Sequence, residues 1–253
     1  MARGGTMTLK SAQEVAKMRV AGRVVAQALE AMRASIHPGV TTAQVDAVGE
    51  AVIRKAGATP SFKGLYGFPA SVCVAVNDEV VHGIPGKRTL RNGDIIKVDT
   101  GAFLDGWHGD ATITVPVGEI DEESQRLVST TYDALFAGIA QCRSGKRIGD
   151  IGHAIQVYAE SRGYGVVRQY VGHAIGRRIH EEPQVPNYGN PGTGTLLRKG
   201  MVLTIEPMLT VGTYETHTLA DKWTVVTNDG KRAAQFEHTV AITDGDPEIL
   251  TLP

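Results

Sequence analysis

The chain repeats itself weakly at offsets of 106 and 107 residues, and this repeat restricts the fold more than any other feature. In each half, a helical pattern is bracketed by two glycines with equal spacing, namely Gly39 and Gly57, then Gly145 and Gly163. Residues 92–99 then match residues 199–206, so that Asp99 falls on Glu206. Two halves of this kind, each with two helices followed by antiparallel strands, predict a pseudo-twofold α+β domain. The symmetry predicts that Asp99 and Glu206 face each other across the axis.

The segment 97–110, KVDTGAFLDGWHGD, has the pattern of a β-hairpin with an acidic residue on each arm. A turn centred on Leu104 and Asp105 would place Asp99 directly opposite Asp110, where like charges destabilise a sheet. Such a pair requires a shared proton, a cationic side chain or a metal ion. The alternative is that one of the two acids only caps the turn.

Composition indicates an ordinary globular protein. The chain has 253 residues, of which 42% are hydrophobic and 21% charged, and its formal net charge is −1. This near-neutral charge argues against nucleic acid or anionic membranes as direct partners. The two cysteines, Cys73 and Cys142, favour a reducing compartment. We expect a cytoplasmic protein, because the N-terminus lacks a signal-peptide core and no apolar run reaches about 18 residues.

Periodicity and capping signals predict four helices. Capping boxes at Ser11–Glu14 and Thr41–Gln44 open the first two helices, and Asp121 opens the third. The chain is expected to form a short extension over 1–10 and one domain over 11–253, with halves of about 11–118 and 119–253. The helices are predicted at about 11–35, 41–57, 121–142 and 150–162, strands at 71–76, 80–83 and 201–206, long loops at 58–70 and 176–199, and a second hairpin from 222–227 and 235–243.

Four acids and one histidine lie in apolar strands or glycine-rich turns, where ionisable side chains are rarely buried without partners. Each residue taken alone has a simpler explanation, such as a salt bridge or a helix cap. Four carboxylates on one pseudo-symmetric sheet exceed what a single cation neutralises, whereas two divalent ions with two bridging carboxylates would suffice. Oxygen-rich ligation with one histidine suits Mn²⁺, Fe²⁺ or Co²⁺ better than a cysteine-type zinc site. The set is Asp99, Asp110, His173, Glu206 and Glu237.

Six strings, which follow one another from about residue 11 to the end of the chain, resemble type I methionine aminopeptidases. They are NDEVVHGIPG (77–86), KVDTGAFLDGWHGD (97–110), GHAIGRRIHEEPQVPN (172–187), IEPM (205–208), DKWTV (221–225) and FEHTVAIT (236–243). The resemblance implies the pita-bread fold, whose two halves are related by a pseudo-twofold axis and carry two pairs of helices. It also implies metal-dependent removal of the initiator methionine from nascent proteins whose second residue is small.

The resemblance assigns a role to each ligand candidate. Asp99 would bind one metal ion, Asp110 and Glu237 would bridge two ions, and His173 and Glu206 would hold the second. A metal-activated water would attack the first peptide carbonyl, and Glu206 would also transfer a proton. The resemblance thus implies two divalent ions per chain, namely Mn²⁺, Fe²⁺ or Co²⁺, with Zn²⁺ as a further alternative.

Two further histidines would contact the substrate according to the same resemblance. His180 would donate to the carbonyl oxygen as negative charge develops there. His82 would touch the scissile amide or the second residue. His108 and His153 are interpreted as structural.

The residues expected to grip the methionine side chain depart from the family pattern. The family usually has small or thiol residues and tyrosines in the loop 62–68, glycine at the position of Ala174 and an aromatic residue at the position of Ile179. The pocket is therefore expected to differ in shape, although aromatic and aliphatic side chains still suit a flexible thioether. The expected pocket residues are Phe62, Leu65, Phe68, Cys73, Ile179 and Trp223.

Two alternatives share this fold. Prolidases and Xaa-Pro aminopeptidases use the same five ligand types, but they usually carry an additional N-terminal domain. A non-catalytic binding module, associated with the ribosome or RNA, would typically have lost metal ligands. If the protein is an aminopeptidase, its expected partners are the N-terminal segments of nascent polypeptides, also at the ribosome. The protein is expected to be a monomer.

Overall fold

The computed structural model describes residues 8–253, so most of the expected extension 1–10 lies outside the described residues. The described part contains four α-helices, which pack as two pairs, α1 with α2 and α3 with α4. None of them is long and apolar enough to cross a membrane. The helices are α1 (Ala12–Ser35), α2 (Thr42–Lys55), α3 (Glu122–Ile139) and α4 (Ile148–Glu160).

The first two helices begin where their capping boxes predict. In α1, the Ser11 hydroxyl accepts from the backbone N–H of Glu14 at 3.3 Å, and the Glu14 carboxylate accepts from the backbone N–H of Ser11 at 2.9 Å. Thr41 and Gln44 repeat this exchange at 3.3 and 2.9 Å in α2. Each box satisfies backbone donors that have no partner inside the helix, which fixes the first residue of the helix.

Fifteen strands and one 3₁₀ turn, Leu65–Gly67, complete the described part. The first half contains β1 (Thr59–Pro60), β2 (Cys73–Val76), β3 (Glu79–Val81), β4 (Ile95–Leu104) and β5 (Trp107–Pro116). The second half contains β6 (Gly165–Val166), β7 (Gly172–Ala174), β8 (Glu181–Val185), β9 (Val202–Ile205), β10 (Met208–Thr210), β11 (Thr216–Thr218), β12 (Val225–Thr227), β13 (Ala233–Gln235), β14 (His238–Ala241) and β15 (Glu248–Ile249).

The two halves place one central strand each between antiparallel neighbours. In the first half, β4 pairs with β2 and β5; in the second half, β9 pairs with β7 and β14. An isolated antiparallel bridge between Thr112 and Glu237 joins the two sheets. The smaller sheets follow the orders β13-β10-β6 and β11-β12-β3. The α+β class and the pseudo-twofold arrangement of helices and antiparallel strands are therefore confirmed.

The β4–β5 hairpin differs in register from the prediction. Its turn consists of Asp105 and Gly106, both with positive φ (50° and 85°), which is the geometry that Asp-Gly favours in two-residue hairpins. Asp99 consequently pairs with Thr112, and Asp110 pairs with Gly101. The prediction that the two acids lie directly opposite each other was wrong; they are diagonal neighbours on one face. In addition, β4 continues past Asp99, whereas β9 ends immediately before the residue that matches it.

Two other predictions about the strands were wrong. The predicted loop 176–199 contains β8, which pairs with β7. The segments 222–227 and 235–243 do not form a hairpin with each other. Instead, β12 pairs with β3 and β11, β13 pairs with β10, and β14 pairs with β9 and β15.

A buried lysine ties the two halves together behind the central strands. The Lys97 side chain on β4 is 1% exposed, and its ammonium donates to the carbonyl oxygens of Asn77 at 2.7 Å and Ala233 at 2.8 Å. Burial lowers the pKa of Lys97 to about 7, because the charged form loses hydration. One side chain thus links the turn after β2, the strand β4 and the start of β13.

Helix α1 lies very close to the C-terminal segment at Gly22. A β-carbon at Gly22 would collide with the backbone carbonyl of Leu250, whereas one at Gly49 of α2 would meet the flexible Met32 side chain at 2.7 Å. We expect Gly22→Ala to lower the free energy of unfolding by about 1–3 kcal/mol, because rigid backbone must move. Gly49→Ala is the matched control and should cost less. Equal effects in urea denaturation would contradict this account of the packing.

Candidate active site

The five ligand candidates converge on one cavity of about 540 Å³. Asp99 lies on β4, Asp110 on β5 and His173 on β7, while Glu206 directly follows β9 and Glu237 lies between β13 and β14. The cavity therefore draws its acids from both halves of the fold. Asp110 and Glu237 are each 3% exposed.

The ligating atoms lie at distances that suit shared cations. One ligand atom each from Asp110, His173 and Glu237 lie within 4.8 Å of one another. The Nε2 atom of His173 is 3.7 Å from Oε1 of Glu206 and 4.0 Å from Oδ2 of Asp110. Asp99 is near enough to these acids to raise the pKa of Glu206 by charge repulsion.

Three buried carboxylate oxygens have no hydrogen-bond partner among the described residues: Asp99 Oδ1, Asp110 Oδ1 and Glu237 Oε1. Buried polar atoms are nearly always paired, because leaving one without a partner costs about 1–3 kcal/mol. All three belong to the cavity and are hard oxygen donors of the kind that divalent cations prefer. The residues present therefore fit divalent metal ions.

The electrostatics of the acids agree with this fit. Burial raises the pKa of Asp99 to about 7. Burial and then repulsion from Asp99 raise the pKa of Glu206 to about 8. Burial followed by repulsion from neighbouring acids raises the pKa of Asp110 and of Glu237 well above the usual range. Such a cluster needs positive charge or protons at neutral pH.

His173 presents a neutral ring with one free nitrogen. Burial is the main cause that lowers the pKa of His173 to about 3. Its Nδ1 lies 3.1 Å from the carbonyl oxygen of Ala174, an acceptor, so Nδ1 carries the proton. The lone pair of Nε2 is therefore directed towards the acids, as a metal ligand requires.

Three residues that the sequence reasoning missed orient the acids. The Thr112 hydroxyl donates to Glu237 at 2.8 Å, and the Thr204 hydroxyl donates to Glu206 at 2.9 Å. The Gln235 amide donates to the other Glu206 oxygen at 3.4 Å. Each lies two positions from an acid of the cluster, so the period of two in a β-strand was the signal that would have found them.

The two histidines that are expected to contact the substrate also line the cavity. His180 meets the His173 ring edge to face, with ring centroids 4.5 Å apart at 88°. His82 follows β3 with a left-handed backbone (φ 59°) and packs against Tyr170 at 5.5 Å. Burial lowers the pKa of both histidines, that of His82 to about 4. Both rings are therefore neutral at pH 7 and able to donate one hydrogen bond.

The cavity also has an apolar wall, which includes Cys73 and the edge-to-face pair of Phe68 and Trp223, 5.1 Å apart. Of the expected pocket residues, only Ile179 does not line the cavity. It is 4% exposed and packs in the same apolar cluster as Phe62, Phe68 and Cys73. The residues that do line it are Phe62, Leu65, Phe68, Cys73 and Trp223.

A pseudo-symmetric α+β fold with carboxylates and one neutral histidine in a cavity is the arrangement of a metal-dependent hydrolase. The model of metallopeptidase family M24 matches residues 16–244, and the chain belongs to this family. The methionine aminopeptidase of Clostridium acetobutylicum is 54% identical over 245 residues, covering 96% of this chain and 98% of that protein. A crystal structure of methionine aminopeptidase from Thermotoga maritima, 46% identical, matches with a TM-score of 0.97 over 98% of this chain and 100% of that one. The expected resemblance is confirmed.

Prolidase is a more distant relative. The Pyrococcus furiosus prolidase is 23% identical, with a TM-score of 0.80 over 97% of this chain and 65% of that one. This likeness concerns the fold alone.

We expect the affinity of metal-free protein for Mn²⁺ or Co²⁺ to rise from about pH 6 to about pH 8. The raised pKa values of Asp99 and Glu206 keep protons on the site in this range, and a cation must displace them. Calorimetric titration in two buffers of different ionisation enthalpy would measure the protons released. Asp110→Asn should release fewer protons, and an affinity independent of pH would contradict the prediction.

Proposed function

We propose that this protein removes the N-terminal methionine from polypeptides whose second residue is small, by metal-dependent hydrolysis. The observation that carries the proposal is that five ligand residues and an apolar pocket line the same cavity. The names of its relatives point to the same substrate. The non-catalytic alternative is disfavoured because the complete ligand set is present.

Two divalent cations per chain are the proposed cofactors. Asp99 would serve one ion, His173 and Glu206 the other, and Asp110 and Glu237 would bridge both. Four carboxylates and three oxygens without partners support this number, because one divalent ion leaves excess negative charge. The proposed ions are Mn²⁺, Fe²⁺ or Co²⁺, with Zn²⁺ as an alternative. When bound, they supply polarisation of a carbonyl and activation of water.

The remaining residues act on the substrate. His180 would donate from its neutral ring to the carbonyl oxygen of the scissile bond. His82 would contact the amide or the second residue. Glu206 would carry a proton between the nucleophile and the leaving amine, with its carboxylate held by Thr204 and Gln235.

The proposed pocket for the methionine side chain is the apolar wall formed by Phe62, Leu65, Phe68, Cys73 and Trp223. A flexible thioether adapts to aromatic and aliphatic neighbours and makes favourable contacts with ring edges. Ile179 would act indirectly, by packing in the same apolar cluster as residues of this wall.

The proposed setting is the cytoplasm, where the protein meets nascent polypeptides, also at the ribosome, as a monomer that contacts neither nucleic acid nor membrane directly. The net charge of −1 and the two free, buried cysteines, Cys73 and Cys142, support this setting.

The substrate assignment predicts which peptides are cleaved fastest. Protein reloaded with Mn²⁺ or Co²⁺ should cleave Met-Ala-Ser much faster than Leu-Ala-Ser, because a branched side chain fits this wall less well than an unbranched thioether. Ala-Pro should not be cleaved at a comparable rate. Chromatographic product analysis measures all three, and preference for Ala-Pro would favour a prolidase instead.

The dinuclear assignment predicts that Asp110→Asn and Glu237→Gln lose activity and metal together. Each variant should bind fewer than two equivalents by elemental analysis and lose at least about 10²-fold in kcat, since a bridging ligand supports both ions. His153→Ala, on α4 outside the cavity, is the control. Near-normal kcat in either amide variant would contradict the assignment of two bridging carboxylates.

A further inference from the structure

The open side of the cavity is lined by exposed side chains, in contrast to its buried acids and apolar wall. If the first residue and the scissile bond occupy the buried part, the rest of the polypeptide must leave across this rim. Rim side chains therefore meet the chain beyond the second residue. The exposed lining residues are Tyr66, Gln169, Arg178, His180, Glu182 and Gln184.

Tyr66 stands out on this rim because its conformation is costly and its packing does not explain it. It is not glycine, yet its φ is 51°, between Gly64 (φ 87°) and Gly67 (φ 91°). Such a backbone costs about 1 kcal/mol or more for a residue with a side chain. Tyr66 is 78% exposed, so burial of its side chain offsets little of this conformational cost. A strained residue with an exposed ring at a substrate cavity indicates a function rather than a packing role.

The turn that carries Tyr66 is closed by its own backbone. The N–H of Gly64 donates to the carbonyl of Phe68 at 2.8 Å, and the N–H of Phe68 donates to the carbonyl of Leu65 at 2.9 Å. The flanking residues Phe62 and Phe68 are buried in the apolar cluster. The wall of the pocket thus anchors a small turn whose tip holds the tyrosine ring over the rim.

Across the rim, the Tyr66 ring lies parallel to His180, with 5° between the planes and 6.2 Å between the centroids. A planar peptide group between two rings needs a spacing of roughly 7 Å, twice the usual contact distance. The centroid distance is the upper limit on the separation of the two ring planes, so the rings must move apart by about 1 Å or more to admit a peptide group, and the exposed Tyr66 ring is free to adjust. His180 in turn contacts His173, which connects the ring pair to the proposed metal ligands.

We propose that Tyr66 determines how the enzyme holds the polypeptide beyond its second residue, by closing its ring over the peptide group that joins residues two and three, opposite His180. This inference rests on the proposed aminopeptidase function. The contact is made to the backbone, so it does not depend on the side chain of residue three. The ring alone makes the contact, so the hydroxyl is dispensable.

The test compares peptides with and without that peptide group. For Tyr66→Ala, we expect KM for Met-Ala-Ser to rise about threefold to tenfold with kcat little changed, which is the size of one aromatic stacking contact. The dipeptide Met-Ala lacks the group and should be unaffected. Tyr66→Phe should retain wild-type KM, and Tyr66→Gly, which removes the strained side chain, should behave like Tyr66→Ala without a lower unfolding midpoint. Tyr132→Ala, an exposed tyrosine on α3, is the matched control.

The outcomes separate this inference from the proposed function. Failure of the wild-type protein to cleave Met-Ala-Ser would reject the function itself. If the wild type cleaves it, an equal change for dipeptide and tripeptide in Tyr66→Ala would overturn the inference. A loss confined to Lys or to Glu at position three would also overturn it, because charged rim residues such as Arg178 would then be the selective groups.

Discussion

The structure depends on the burial of four carboxylates in one cavity between two central strands. Burial raises the pKa of all four acids, and repulsion by neighbouring acids raises it further for Asp110, Glu206 and Glu237. Threonine hydroxyls satisfy some of the oxygens, but three oxygens have no partner within the described part of the chain. The rest of the fold must hold these groups rigidly, because the cluster of buried acids is unfavourable by itself. Bound divalent cations would neutralise the acids and so stabilise the cluster.

The division of labour between strands and loops follows from this constraint. The proposed metal ligands lie on or beside strands of the two halves, which Lys97 and the Thr112–Glu237 bridge join. The groups that we assign to the substrate lie elsewhere: His82 follows a short strand, His180 ends a loop, and Tyr66 sits on a turn. Strands hold the proposed ligands at fixed distances, whereas loops form the surface that would contact the substrate. We therefore expect changes in the loop 62–68 to alter selectivity without disturbing the proposed ligands.

Much of the fold was readable because its signals are local. The capping boxes at Ser11 and Thr41 mark helix starts to within one residue, since each box is made by side chains three positions apart. The predicted hairpin register was wrong by two residues, because the turn was centred on Leu104 and Asp105 although Asp105-Gly106 is the favoured two-residue turn. The pairings of β12 with β3, β13 with β10 and β14 with β9 were missed because they join segments that are distant in the chain.

By itself, the sequence determined which residues are candidates for the chemistry, namely the acids in apolar strands, and through its motif strings it determined the family. These conclusions need only residue types and their spacing along the chain. Tertiary structure alone decided that Thr112, Thr204 and Gln235 hold the acids, that Ile179 lies outside the cavity, and that Tyr66 faces His180. Those relations are distances between segments far apart in the chain, and only the packing of the two halves sets them.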